Sequence, residues 1–194
     1  MKIDIDTGLL DSARYIASDN ADERSDASAA ELIVIHNISL PPGEFAGHWV
    51  EDFFTNQLDT SAHPYFAEIV GLRVSSHFLI RRDGVITQYV PVTMRAWHAG
   101  ESCYNDRSAC NDFSIGIELE GDDDVPYEDA QYQRLLELIE VLMRAYPTIP
   151  ADGVVGHVDI APGRKTDPGL AFDWSYLRKK LATKLASSGD VDNT

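Results

Sequence analysis

The segment Gly156–Gly169, with the sequence GHVDIAPGRKTDPG, carries a histidine, a lysine and an aspartate on one stretch rich in glycine and proline. His157 follows a short apolar run, and Lys165 and Asp167 come after it. His36 likewise follows an apolar, β-branched run, LIVI. Proteins of the α/β class tend to carry their sites at the C-terminal ends of such strands. If the two strands are neighbours, both histidines face one cavity.

Two histidines and one carboxylate form the ligand set of a catalytic zinc ion that keeps its fourth position open for water. His36, His157 and Asp167 would supply that set. These residues lie far apart in the sequence and no HExxH motif is present, so spacing alone does not establish a metal site. A purely structural role for both histidines stays open on this evidence.

Two glutamates, Glu118 and Glu120, lie on one face of a predicted strand, FSIGIELEG. A glycosidase would place two carboxyl groups on opposite sides of the bond it cleaves. Two positions apart on one strand, these glutamates are more simply one inward carboxyl group and one near the rim. The pattern therefore favours Glu118 alone as a general acid–base residue beside a zinc-bound water. For Cys110, an ordinary buried thiol is a simpler interpretation than a nucleophile.

Hydrophobic periodicity predicts the elements that must position these side chains. Strands are predicted at residues 32–39, 113–121 and 153–157, with a hairpin over residues 75–91 that turns at Asp83-Gly84. Helices are predicted at residues 49–58, 65–71, 127–146 and 172–186. This order of elements indicates an α/β fold in which a central mixed β-sheet is flanked by helices.

The length of the chain predicts a single domain over residues 1–194. Its core spans about residues 32–186. An acidic N-terminal segment, residues 1–31, precedes the core, and its second half, residues 18–31, is predicted as a loop. A frayed tail, residues 187–194, follows the core.

The composition excludes some classes of partner and indicates a compartment. A formal net charge of -16 disfavours non-specific binding to nucleic acid or to an anionic membrane surface. No apolar run approaches the ~20 residues that span a bilayer, and the N-terminal sequence lacks the features of a signal peptide. Two cysteines do not make a disulfide framework, so reduced thiols and a cytoplasmic location are expected.

Several longer motifs carry a resemblance to a known family. The stretches VIHNISLPPGEF, LRVSSHFLIRRDG, RAWHAG, CNDFSIGIELEG and IAPGRKTDPG resemble the 1,6-anhydro-N-acetylmuramoyl-L-alanine amidases of bacterial cell-wall recycling, the AmpD family. The resemblance runs from about Leu32 to Trp174. It implies the fold of the wider amidase and peptidoglycan-recognition superfamily, a central mixed sheet flanked by helices.

The resemblance also implies roles for individual residues. His36, His157 and Asp167 match the ligands of one zinc ion per chain. Glu118 matches the acidic residue that activates the water, and Lys165 matches the lysine that stabilises the oxyanion. Further positions match residues that line the substrate groove of such enzymes: Asn37, Tyr65, Arg73, Trp97 and Arg107.

The activity implied by the resemblance is hydrolysis of the amide bond between N-acetylmuramic acid, in its 1,6-anhydro form, and L-alanine. The implied setting is cytosolic recycling of muropeptides, which in some bacteria controls β-lactamase induction, with anhydro-muropeptides as partners and no obligate protein partner. Three alternatives stay open: a non-catalytic peptidoglycan-binding module, an exported amidase acting on intact cell wall, and an anhydro-sugar glycosidase.

Overall fold

The computed structural model describes residues 1–25 and 30–188. The strands in these ranges are β1 Arg14–Tyr15, β2 Ala21–Glu23, β3 Leu32–Ile38, β4 Phe78–Ile80, β5 Ile86–Gln88, β6 Met94–Ala96, β7 Cys103–Tyr104, β8 Arg107–Ser108, β9 Ser114–Glu120 and β10 Val154–Gly156. The helices are α1 Trp49–Phe54, α2 Asp129–Ala145, α3 His157–Ile160 and α4 Trp174–Ser188, together with 3₁₀ turns at Pro64–Ala67 and Cys110–Asp112.

One mixed sheet contains the strands that carry the site, in the order β1-β5-β4-β9-β3-β10. Strands β4 and β5 pair antiparallel, as the predicted hairpin requires, and the other neighbours pair parallel. The central strands β3 and β9 pair along their full length, from Leu32 opposite Ser114 to Ile38 opposite Glu120. Helices flank this sheet, and the predicted α/β fold is confirmed.

One face of the large sheet packs into the main hydrophobic core, and the opposite face carries polar side chains. On one face, Ile33 and Ile35 of β3 and Ile117 of β9 join buried side chains of α2 and α4 in the main hydrophobic core. Because successive side chains of a strand point to opposite faces, His36 and Glu118 lie on the other face. Burial of the isoleucine face therefore fixes the register that brings these two polar side chains side by side.

Several element boundaries differ from the predicted ones. The helix predicted over residues 49–58 ends at Phe54, because Asn56 adopts a left-handed backbone conformation with φ of 61°. The helix predicted over residues 65–71 is only the 3₁₀ turn Pro64–Ala67. Strand β10 ends at Gly156, and His157 begins α3.

The N-terminal segment takes part in the fold. Ile3 and Leu10 are buried in the main core, and β1 forms an edge of the large sheet. The predicted loop over residues 18–31 contains β2, which forms because it pairs antiparallel with β6. Residues 26–29 of that loop, and residues 189–194 of the predicted frayed tail, lie outside the described residues. No helix in the described part of the chain is long and apolar enough to cross a membrane.

Gly169 allows the loop after α3 to pack closely against a neighbouring loop. Its φ is +81°, and a Cβ atom there would lie 2.1 Å from the Cα of Asp123. We expect Gly169→Ala to lower the free energy of unfolding by about 2–4 kcal/mol, through backbone strain and this overlap. Gly163→Ala is the matched control, because Gly163 has φ of +77° and open space around its Cβ position.

Chemical denaturation of both variants checks this prediction. Gly163→Ala should lose only about 1 kcal/mol, because it carries the strain without the overlap. Equal losses for the two variants would show that the contact with Asp123 contributes nothing.

Candidate metal centre

Three elements bring the predicted ligands together. His36 lies on β3, and β10 pairs with β3 in parallel, so His157 follows its strand at the adjacent edge of the site. Asp167 lies on the loop after α3, and its backbone carbonyl accepts a hydrogen bond of 3.0 Å from the Val158 amide. The backbone of this loop is thereby tied to the helix that begins at His157.

The three side chains meet at one point. Nδ1 of His36 lies 2.9 Å from Nδ1 of His157 and 3.1 Å from Oδ2 of Asp167. The Nδ1 atom of His157 lies 3.0 Å from the same carboxylate oxygen. All three residues are buried. The structure therefore places side by side the three residues that the sequence predicts as a ligand set.

The hydrogen bond on the outer side of His157 determines which ring nitrogen faces the other two side chains. Nε2 of His157 lies 3.1 Å from the carbonyl oxygen of Ala99. A carbonyl oxygen can only accept, so a neutral His157 carries its proton on Nε2 and presents a lone pair at Nδ1. That lone pair faces the Asp167 carboxylate, which is also an acceptor. A cation between them would satisfy both groups.

The donor set fits zinc. Zinc bonds to nitrogen and oxygen of about 2.0–2.2 Å would hold tetrahedral ligand atoms about 3.3 Å apart, near the 2.9–3.1 Å found here. Two imidazoles and one carboxylate also leave a fourth position for water or substrate. The residues present are therefore a suitable site for one zinc ion.

The protonation states agree with metal binding. Burial lowers the pKa of His36 to about 4, although the neighbouring Asp167 carboxylate partly opposes this effect. Burial alone would raise the pKa of Asp167, but the neighbouring His157 and His36 hold it well below its ordinary value. At neutral pH the site thus contains an uncharged His36 and an ionised Asp167, which are the forms that bind a metal.

Glu118 lies beside this cluster with an unusual carboxyl group. Burial raises its pKa well above the ordinary value, the charge of Asp167 raises it further, and Lys165 opposes the shift. Its Oε2 atom is buried and has no hydrogen-bond partner among the residues described. A buried carboxyl group with a raised pKa and an unpaired oxygen suits general acid–base chemistry.

An open cavity of about 760 Å³ joins the cluster to the surface. The cluster forms part of its wall together with Glu118 and the exposed Lys165. Of the residues predicted to bind substrate, Asn37 and Tyr65 also line it. The Nδ2 atom of Asn37 donates a hydrogen bond of 2.8 Å to Asp123.

The other three residues predicted to bind substrate lie elsewhere. Arg73 lines a smaller cavity of about 190 Å³, which shares the wall residues Phe53, Ile69 and Leu72 with the main cavity. Trp97 is half-buried, and Arg107 is exposed, bonded to Glu31. Neither Trp97 nor Arg107 is among the described residues that line the main cavity. Their contacts with substrate stay predictions.

Sequence reasoning did not single out two residues next to the cluster. His98 is buried against His36, with Nδ1 of His98 2.9 Å from Nε2 of His36. Arg164 lines the cavity and donates a hydrogen bond of 2.7 Å to the Ala99 carbonyl. The motif RAWHAG contained the signal for His98, but its place in the chain gave no reason to connect it with His36.

Comparison with known proteins assigns the family. The family described as N-acetylmuramoyl-L-alanine amidase matches residues 26–170. The chain belongs to this family. It is an amidase, and the cluster lies within the matched region.

Individual relatives agree with this assignment. The amidase is 57% identical over 177 residues to the 1,6-anhydro-N-acetylmuramyl-L-alanine amidase AmpD of Salmonella typhimurium (strain SL1344), an alignment that covers 91% of this chain and 94% of the relative. A crystal structure of a selenomethionine AmpD derivative superposes with a TM-score of 0.89 at 55% identity, over 92% of this chain and 98% of that one.

A more distant structure contains a substrate. It is the amidase AmiD from E. coli in complex with anhydro-N-acetylmuramic acid-L-Ala-D-γ-Glu-L-Lys. It matches with a TM-score of 0.57 at 32% identity, over 81% of this chain and 60% of that chain. The predicted family and amidase activity are confirmed.

The raised pKa of Glu118 predicts a pH-dependent cost in the metal-free amidase. The pKa of Glu118 in the folded protein lies above the ordinary value of 4.5, because burial favours the protonated carboxyl group. The free energy of unfolding therefore has its full contribution from Glu118 below about pH 4.5 and loses that contribution as the pH rises toward the folded pKa. We expect metal-free Glu118→Gln to unfold at least about 2–4 °C above the metal-free wild type at pH 8, the shift that about 1 kcal/mol produces at this length.

Calorimetry of metal-free samples between pH 5 and pH 8 measures this difference. It should shrink as pH falls toward 5, because the unfolded carboxyl group also becomes protonated there. Glu68→Gln, at an exposed position, is the control and should show no such trend. A difference independent of pH would contradict the raised pKa.

Proposed function

We propose that this amidase uses one zinc ion to hydrolyse the bond between the lactyl group of 1,6-anhydro-N-acetylmuramic acid and L-alanine in soluble muropeptides. The observation that carries the zinc proposal is the buried meeting of His36, His157 and Asp167 in one cavity with Glu118. The substrate is supported by a relative at 57% identity that is a 1,6-anhydro-N-acetylmuramyl-L-alanine amidase.

The proposed chemistry divides between the ion and the chain. A zinc ion held by His36, His157 and Asp167 would polarise the amide carbonyl and make water a stronger nucleophile at neutral pH. The side chains supply the proton transfers and the fixed charges. They also hold the reacting groups together at one end of the cavity.

Glu118 is the proposed proton carrier. Its carboxylate takes a proton from the attacking water as the new C–O bond forms. It then gives that proton to the alanine nitrogen as the C–N bond breaks, so the products are a lactyl carboxylic acid and a free amine, and the acid then passes its proton to the amine through solvent. The unpaired Oε2 atom and the raised pKa support this role, because the group holds a proton readily between the two steps.

Lys165 is the proposed electrostatic partner of the reacting carbonyl oxygen. It follows α3 on the same loop as Asp167, and its charge is felt at both Glu118 and His36. A positive charge near the oxygen that becomes negative lowers the barrier. Its side chain is exposed, which leaves the ammonium group free to approach substrate.

The proposed substrate contacts lie along the cavity. Asn37 and Tyr65 line it and would contact the substrate directly. Arg73 would pair with a carboxylate of the stem peptide from the adjoining cavity. Trp97 and Arg107 would contribute a flat apolar face and a further cation, which requires movement of substrate or loop toward them. Such local cations matter because a net charge of -16 otherwise repels an anionic muropeptide.

We place the reaction in cytoplasmic recycling of muropeptides. Cys103 and Cys110 are unpaired in the structure, in agreement with a reducing compartment.

A non-catalytic binding module would have no use for a buried general base beside a complete ligand set. An amidase for intact cell wall would instead cleave insoluble sacculi as fast as soluble anhydro-muropeptides, and a rate comparison on both substrates separates these functions.

Removal of the metal tests the zinc proposal. We expect chelation to abolish release of L-alanine peptides from an anhydro-muropeptide and stoichiometric zinc to restore it. Asp167→Ala should weaken zinc binding by more than about 100-fold, since loss of an outer partner of a ligand already costs 10–100-fold. Asp124→Ala, which removes an exposed carboxylate from the same cavity, should retain zinc. Full activity in metal-free protein would contradict the proposal.

Substitution of Lys165 tests the electrostatic role separately from metal binding. Lys165→Ala should keep one zinc per chain and lower kcat by about 10²–10³, the usual effect of removing one oxyanion donor. Lys179→Ala changes the net charge equally at an exposed position of α4 and should leave kcat unchanged. Near-normal turnover in Lys165→Ala would refute the assigned role.

A further inference from the structure

A chain of hydrogen bonds leads away from the far side of His36. Its Nε2 atom lies 2.9 Å from Nδ1 of His98, and Nε2 of His98 lies 3.2 Å from Oγ of Ser114. The Ser114 hydroxyl donates a bond of 2.6 Å to the carbonyl oxygen of Cys110. The two histidines, Ser114 and Cys110 are all buried.

The Cys110 carbonyl at the end of this series of hydrogen bonds determines which atom is the donor in each of them. The Cys110 carbonyl accepts the only proton of the Ser114 hydroxyl, so Ser114 must accept from Nε2–H of His98. A neutral imidazole carries one ring proton, and the bond to Ser114 places that proton of His98 on Nε2. Its Nδ1 atom is then an acceptor, which takes the proton of Nε2 of His36. A neutral His36 therefore presents a lone pair at Nδ1, toward His157 and Asp167.

Ala99, the residue after His98, accepts the outer proton of the second histidine ligand, His157. The Ala99 carbonyl oxygen lies 3.1 Å from Nε2 of His157 and accepts its proton. One side chain holds this two-residue segment in place, because Oδ1 of Asn111 accepts bonds of 3.0 Å from the His98 amide and 2.8 Å from the Ala99 amide. A single short segment thus faces the outer nitrogens of both histidines.

Strand β9 is shaped to receive the His98 ring. Ser114, Gly116 and Glu118 alternate onto one face of this strand. A Cβ atom at Gly116 would lie 2.5 Å from Cγ of His98, so the ring occupies the space that any other residue would fill. The same strand face therefore holds the ring, accepts its proton at Ser114, and carries the candidate general base.

We propose that His98 is a positioning residue that fixes the tautomer of His36, and that His98, Ala99, Asn111 and Ser114 form an outer hydrogen-bond layer for both histidine ligands. This inference rests on the proposed zinc site for its purpose. The layer keeps both Nδ1 atoms unprotonated before metal arrives, so binding requires neither a proton shift nor a ring flip. Loss of such outer partners typically costs 10–100-fold in metal affinity or activity.

Nitrogen NMR of ¹⁵N-histidine-labelled, full-length protein tests the inference directly. In metal-free wild type, His36 should show a protonated Nε2 and an unprotonated Nδ1. His98→Leu fills the site without an acceptor and should give a mixture of tautomers. His98→Asn places Oδ1 near the former Nδ1 position and should restore the wild-type pattern. Protonated Nδ1 of His36 in wild type would overturn the proposal. Because this test uses the wild-type spectrum alone, it does not depend on whether a variant folds.

Zinc affinity, measured by competition with a chelator, supplies the second readout. His98→Leu should bind zinc about 10–100-fold more weakly than wild type, and His98→Asn should stay within a few-fold. Equal affinity in wild type and His98→Leu, with both folded by circular dichroism, would overturn the positioning role. A wild type with the expected tautomer but no zinc binding would support the assignment to His98 and contradict the zinc function instead.

Discussion

Two buried imidazole nitrogens and one buried carboxylate oxygen lie within 3.1 Å of one another, and the rest of the structure depends on this close approach. Without a cation, electron-rich atoms at this distance gain little from facing each other, and their burial is costly. With a cation, the same arrangement is a ligand set. The hydrogen bonds around the two histidines fit this arrangement, because each histidine has a partner at its outer nitrogen.

The sheet provides this arrangement through strict alternation along its two longest strands. The isoleucines of β3 and β9 are committed to the core under α2 and α4, so the alternate positions must face the other side. His36 then lies directly opposite Glu118, and β10 delivers His157 at the next strand position. His36 and Glu118 are therefore carried by the two longest strands of the sheet, while Lys165 and Asp167 come from the loop after α3.

The sequence predicted those parts of the structure that periodicity controls. Strands β3 and β9 and helix α2 have long, regular apolar patterns, and their positions were predicted closely. The short strands β1, β2, β6, β7 and β8 were not predicted, because two or three residues carry no pattern. Strands β1, β2 and β6 form by pairing with distant strands, and β7 and β8 pair with each other. The ligand set was only one option until the family motifs were considered. The sequence does not connect His98 with His36, because its partners, Ser114 and Asn111, come next to it only in the folded chain.

Anomalous X-ray diffraction at the zinc absorption edge tests the central claim most directly. Crystals of the protein grown with one equivalent of zinc should show one strong anomalous peak per chain, about 2.0–2.2 Å from Nδ1 of His36, Nδ1 of His157 and a carboxylate oxygen of Asp167. The peak should disappear in data collected below the edge. An absent peak, or a peak bound by other residues while these three remain in contact with one another, would contradict it.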